Sequence, residues 1–185
     1  MLQESLHGLT VLLGYLLAVV VPLALVKRFV EIPSELTRKI LHLMITGSVF
    51  VWLYAFSTWY ASAFSAAVLA ALLYPLLTLI ERLPWYSRVL AERRLGEVKK
   101  SMVVFFLMMV ILMTVFWGWL GPDSKYIIVV AVLAWGCGDA AAALVGKTFG
   151  RYYLTSRFIE GKKTVEGTAS MYAVSVLAIF ITTLL

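Results

Sequence analysis

The sequence predicts an all-α, polytopic membrane helix bundle of about six transmembrane helices, and three observations predict it. The 185 residues have a mean hydropathy of +0.94 and only 14% charged side chains. A soluble domain needs far more polar surface than that. Six apolar stretches, at 9–26, 40–56, 58–80, 102–120, 126–146 and 167–185, approach the ~20 residues that cross a bilayer as a helix. Fifteen of the sixteen Lys and Arg residues fall in the connections after the first, third and fifth stretches, leaving only Lys125 on the other side. The positive-inside rule makes those connections cytoplasmic, so the amino terminus and the end of the sixth span are expected outside. No internal repeat or low-complexity linker interrupts the pattern, so one integral membrane domain is expected over 1–185.

The first span follows Met-Leu-Gln-Glu-Ser-Leu-His, which carries no basic segment, and no cleavable leader is expected. His7 lies far from the basic loops and is read as incidental. Connection 27–39 holds Lys27, Arg28, Arg38 and Lys39. Pro33 suits the first turn of the next helix, where Arg38 and His42, four apart, share a face. Read plainly, this is a positive-inside anchor with a capping histidine. Spans two and three are separated only by Ser57-Thr58 and are expected to form a tight antiparallel hairpin.

Connection 81–100 is longer. Pro84-Trp85-Tyr86 suits a short interfacial helix with aromatics at headgroup level. The run from Arg93 to Lys100 ordinarily reads as a solvated loop touching anionic lipid, but Gly96-Glu97 interrupts it with a turn residue and a carboxylate beside Lys99 and Lys100. The methionines and aromatics of span four read as lipid-facing or core residues.

Span five contains an acid. Asp139 sits among Gly136, Gly138 and the alanines 140–143. A carboxylate at membrane depth is costly and survives only where a partner, an ion or water meets it. Asp139 precedes Gly146 by two turns, so the two lie on nearly one face with the acid about 10 Å deeper. Gly146 and Gly150 permit backbone that cradles oxyanions, and Lys147 and Arg151 bring charge. Lys162, Lys163, Thr164, Glu166 and Gly167 then lead into span six, with Glu166 in its first turn, where free amides can meet phosphate. A small-residue packing seam plus a basic loop explains the alanines and lysines but not Asp139 or Glu166. The segment from Ala141 to Thr148 matches a relaxed P-loop spacing, but its first five positions are apolar and lie in a membrane helix, so a working P-loop is not expected. Cys137, the single cysteine, excludes an intrachain disulfide and a cysteine-based zinc site and reads as a small packing residue.

Acidic groups able to hold a hard cation therefore stand beside many phosphate-matching cations. Magnesium binds through one or two carboxylates plus substrate phosphates, and phosphoryl transfer requires mainly positioning and charge neutralisation. A nucleotide can approach from the cytosol while a lipid alcohol enters from the bilayer. No nucleic-acid partner is expected.

Residues 138–150, Gly-Asp-Ala-Ala-Ala-Ala-Leu-Val-Gly-Lys-Thr-Phe-Gly, followed by Gly-Lys-Lys-Thr-Val-Glu-Gly at 161–167, resemble the signature of the CTP-dependent lipid kinases. This group includes dolichol kinase, phytol and polyprenol kinases and the CTP-dependent diacylglycerol kinase, and is distantly related to phosphatidate cytidylyltransferase. Arg38-Lys-Ile-Leu-His42 resembles an early element of that family, and Gly96-Glu97 before a basic pair resembles its middle-loop element. The resemblance implies transfer of the γ-phosphate of CTP to a lipid hydroxyl at the cytoplasmic face, with Mg2+ as cofactor. It implies that Asp139 holds Mg2+ or orients the hydroxyl and that Glu166 assists the metal. Lys147, Lys162 and Lys163 would neutralise the triphosphate, with Lys163 in a catalytic role. Arg38, Lys39 and His42 would complete the polar wall, and Glu97, Lys99, Gly146, Gly150, Thr164 and Gly167 would contribute to nucleotide binding. The general base stays open between Asp139 and His42. Family members usually continue beyond a sixth span, so a homo-oligomer completing the bundle is one expected arrangement.

Two other readings compete. A cytidylyltransferase acting on a lipid phosphate would need a longer acidic signature, with two aspartates around an arginine, that the chain lacks. A transporter or non-catalytic membrane subunit using Asp139 for protons or cations would predict broken helices and paired half-repeats, and neither is visible.

Overall fold

Lipid offers no hydrogen bonds to a bare backbone, so apolar runs of this length must satisfy their own amides and carbonyls, and they do so as helices. The computed structural model describes residues 1–83, 86, 92, 96–154 and 163–184. Among them are helices α1 (Leu2–Phe29), α2 (Ser34–Tyr54), α3 (Trp59–Ile80), α4 (Glu97–Leu112), α5 (Tyr126–Phe149) and α6 (Val165–Leu184). α4 continues as a π-helical segment, Met113–Trp119, and a 3-10 turn, Pro122–Lys125, leads into α5. All six helical segments are long and apolar enough to cross a membrane. The fold is thus the all-α, polytopic membrane bundle that composition predicts.

Several helices begin earlier than their apolar stretches. α1 starts at Leu2, α2 at Ser34 and α4 at Glu97. Charged side chains lower hydropathy without opposing helix, and an acid in the first turn favours it by facing the positive end of the helix dipole. Glu35, Glu97 and Glu166 each occupy such a first turn. Pro33 immediately precedes α2 in an extended conformation, φ −52° and ψ 137°, rather than lying within its first turn.

The contacts divide the chain into two compact units, Met1–Ile128 and Val129–Leu185. In the first, α3 packs most extensively on α4, and α1 packs on both α2 and α3. The link between α2 and α3 is short, yet α4 is the main neighbour of α3. The buried residues of α3 are Ala61, Ser62, Ala63, Ser65, Ala66, Leu69 and Ala70, mostly small, and small residues let helices approach closely where lipid supplies no hydrophobic drive. Trp52, Met109 and Met113 are fully buried, with Trp52 stacked on Phe56 at 5.5 Å and edge-on to Phe106 at 6.1 Å. The α2–α3 link is tied down by Glu4, whose carboxylate accepts the amides of Ser57 and Thr58, each at 2.8 Å, and the Thr58 hydroxyl at 3.0 Å. An acid from α1 thereby supplies the cap that α3 lacks locally.

The second unit contains the remainder of α5, α6 and, between them, a feature that hydropathy does not reveal. Strand β1 (Tyr153–Leu154) pairs antiparallel with β2 (Lys163–Thr164), Tyr153 opposite Thr164 and Leu154 opposite Lys163. The Val165 amide adds a hydrogen bond to the Tyr152 carbonyl at 2.9 Å. Aromatic and β-branched residues favour this extended backbone, but two residues are too few to show a period.

Candidate functional site

The predicted site residues fall into two clusters, one in each unit. The first joins the start of α2 to the start of α4. Arg38, one turn into α2, places Nη2 2.6 Å from Oε1 of Glu35 and Nη1 3.4 Å from Oε1 of Glu97. Glu35 is buried, whereas Arg38 and Glu97 are partly exposed. Lys39 is buried, and His42 is half-buried with its carbonyl accepting the Thr46 hydroxyl at 2.9 Å. The guanidinium is therefore a positioned cation already neutralised by two carboxylates. Sequence reasoning did not single out Glu35, although its three-residue spacing from Arg38 on one helix is a legible pairing signal.

Lys99 is held differently. Its Nζ lies 2.7 Å from Oε1 of Glu81, donates to the Thr78 hydroxyl at 3.3 Å and sits over the Tyr74 ring at 5.4 Å from its centroid. The pair is largely buried, with side-chain exposures of 12% for Lys99 and 11% for Glu81. At that burial the two charges depend on each other. Lys99 thus braces the end of α3 against the start of α4. Gly96, just before α4, has φ +77°, which a glycine adopts without cost. Having no side chain, it cannot cap α4. Glu92 does so instead, accepting the Val98 amide at 3.0 Å and the Tyr86 hydroxyl at 3.2 Å. Tyr86 is buried, and burial, followed by the Glu92 and Glu81 carboxylates, pushes its phenol well above the usual range, so it remains a donor. Neither Glu81 nor Glu92 could be assigned from spacing, since both act through tertiary neighbours.

The second cluster grows from a seam. Ala134, Gly138, Ala142 and Gly146 on α5, and Gly150 just past its end, recur every four residues, and α6 lies against them. The Ser175 hydroxyl donates to the Ala134 carbonyl at 2.8 Å. Gly138 abuts Ser175 and Met171, and a Cβ on Gly167 would lie 2.8 Å from the Ala142 carbonyl and 3.2 Å from the Gly146 Cα. A Cβ on Gly150 would overlap the Gly146 carbonyl and the Thr164 side chain. The glycines are therefore required by close backbone approach, whatever else they do.

Thr164 is buried in this notch and caps α6, its hydroxyl accepting the Gly167 amide at 3.1 Å. Glu166 Oε1 accepts the Arg151 amide at 3.0 Å and the Tyr152 amide at 3.3 Å. Thr164 and Glu166 thus fold the turn that carries Arg151 and Lys163, with Lys147 in the last turn of α5 before it, all three exposed. Asp139 is half-buried near the middle of the apolar segment Pro122–Phe149. Seven residues separate it from Gly146, which on a helix is the same azimuth to within about 20° and a rise of about 10 Å. Lys162 lies outside the described residues, as do Trp85 and the arginines at 88, 93, 94 and 157. Among the described residues, no group of three or more His, Cys, Asp or Glu side chains gathers as a metal centre.

No family model, curated protein or solved structure matches the chain.

Proposed function

We propose that the chain is a CTP-dependent kinase that transfers the γ-phosphate of CTP to the hydroxyl of a membrane lipid alcohol at the cytoplasmic face. The observation that carries this reading is Asp139, a half-buried carboxylate inside a membrane-spanning helix, on nearly one azimuth with Gly146 at the end of α5, where Lys147 is exposed and Lys163 follows in β2. A carboxylate at that depth needs a partner or an ion, and exposed cations on a braced turn match a triphosphate. The preference for CTP rests on the resemblance of 138–150 and 161–167 to the lipid kinases.

The donor set suits Mg2+, which takes one or two carboxylates and completes its shell with substrate phosphates and water. Asp139 is the principal donor. Glu166 spends lone pairs on two amides and retains fewer for a metal. Mg2+, when bound, offsets the negative charge of the triphosphate. Lys147, Lys162 and Lys163 would hold the phosphates, and Asp139 would orient the lipid hydroxyl or take its proton. Arg38 and Lys99 already have carboxylate partners, so either would bind phosphate only in exchange for them.

The test is nucleotide consumption by purified protein in liposomes. CTP and ATP are each supplied with Mg2+ and phytol, a polyprenol, diacylglycerol or phosphatidic acid, with Asp139→Asn as control. CDP plus a phosphorylated alcohol, abolished in Asp139→Asn, supports the kinase. Pyrophosphate released with phosphatidic acid replaces it with nucleotidyl transfer, and turnover undiminished in Asp139→Asn removes the proposed centre.

A further inference from the structure

The turn between α5 and α6 carries an aromatic surface that the kinase reading does not use. Phe149, Tyr152 and Tyr153 are 67%, 72% and 57% exposed. They are not a loose loop tip. The Tyr152 amide is held by Glu166, the Tyr152 carbonyl by the Val165 amide, and Tyr153 by its pairing opposite Thr164. The backbone is thus fixed while three large rings project from it. Exposed cations surround them in sequence and register: Lys147 and Arg151 on the α5 side, and Lys163 directly opposite Leu154.

Location decides what such a surface meets. α5 has 24 residues, about 36 Å of helix at 1.5 Å per residue, more than the ~30 Å hydrocarbon core of a bilayer. A bilayer with its headgroups measures about 40–45 Å. The last turn of α5 therefore falls at headgroup depth, and β1 begins only a few residues later. α6, a second membrane-spanning segment, starts directly after β2. Both strands are thus tied closely to membrane-spanning helices. Aromatic rings are favoured at that level, and Lys and Arg there attract anionic headgroups.

We propose that Phe149, Tyr152 and Tyr153, with Arg151, form a docking surface for anionic phospholipid headgroups of the bilayer the chain itself spans, leaving Lys147 and Lys163 to the nucleotide. The rings enter the headgroup boundary and Arg151 pairs with lipid phosphate, which sets the height of the turn above the membrane. This surface does not depend on catalysis.

The test uses the full chain with Cys137→Ala and a nitroxide on Thr148→Cys, reconstituted in phosphatidylcholine liposomes with or without phosphatidylglycerol. The relative collision rates of the label with oxygen and with a water-soluble nickel complex report its depth. A shift toward oxygen when phosphatidylglycerol is added is expected, with loss of that shift at high salt and in Arg151→Gln. Tyr152→Ser should lose it and Tyr152→Phe keep it; both preserve the backbone bonds that hold the hairpin. A label equally accessible to nickel in both lipid mixtures overturns the proposal. So does a depth independent of phosphatidylglycerol, and so does dipolar broadening between labels, which would show a second copy covering the surface.

Discussion

Arg38 and Glu97, 59 positions apart, meet with Nη1 3.4 Å from Oε1. The contact ties the first turns of α2 and α4 together, and each first turn also holds a glutamate that suits its helix dipole. Glu97 therefore has two structural duties before any ligand arrives. Any phosphate that recruits Arg38 must compete with Glu35 and Glu97 for the same guanidinium.

That competition has a sign. Arg38→Gln is expected to raise the KM for CTP about tenfold, corresponding to loss of a charge-assisted hydrogen bond worth about 1.5 kcal/mol. Glu97→Gln removes a competitor and is expected to lower KM by a smaller factor. Steady-state kinetics over a CTP series measures both. An unchanged KM in Arg38→Gln would remove that residue from nucleotide binding and leave it a link between α2 and α4.

Lys99 and Glu81 form a largely buried pair at 2.7 Å. Removing one partner leaves the other charge desolvated, a loss of about 3–5 kcal/mol for a buried pair, whereas replacing both with apolar groups is often neutral. Lys99→Met should therefore melt well below the parent in detergent, and Lys99→Met with Glu81→Met should recover most of the difference. Additive losses in the double variant would mean that the pair is screened and contributes little.

The helices were legible because lipid imposes one solution on long apolar runs, and Asp139 was legible because such a solution has no place for an unexplained acid. The helix starts were not, since Glu35 and Glu97 lower hydropathy while favouring the helix that contains them. The α5 seam is half visible: the four-residue spacing from Ala134 to Gly150 is written in the chain, but Ser175, Met171, Gly167 and Thr164 become its partners only when α6 folds back. The hairpin was hidden by its shortness. Glu81 and Glu92 were invisible as functional groups, because their work is to neutralise Lys99 and cap Val98, and no spacing connects those residues.

The seam predicts an asymmetry between two glycines. At Gly167 an added methyl would lie 2.8 Å from the Ala142 carbonyl, a backbone atom that cannot rotate away, whereas at Gly14 of α1 there is nothing within 4 Å. Gly167→Ala should cost about 1–3 kcal/mol through overpacking. Gly14→Ala should be neutral or gain up to about 1 kcal/mol from helix propensity. Thermal unfolding of the two variants side by side gives the answer; equal melting temperatures would mean that α6 does not press on α5 at this point.

Glu166 separates two roles that sequence alone merged. Its carboxylate accepts the Arg151 and Tyr152 amides, a task that a carboxamide oxygen can also perform but an alanine cannot. The resemblance also implies a helper role for Mg2+, a task for which the charge matters. Glu166→Gln should therefore keep the melting temperature of the parent while requiring several-fold more Mg2+ for half-maximal CTP turnover, and Glu166→Ala should lose both. A Mg2+ titration of the three proteins decides between the roles. If the glutamine variant titrates like the parent, Glu166 is a brace for the turn that carries Arg151 and Tyr152, and Asp139 alone remains as the proposed metal carboxylate.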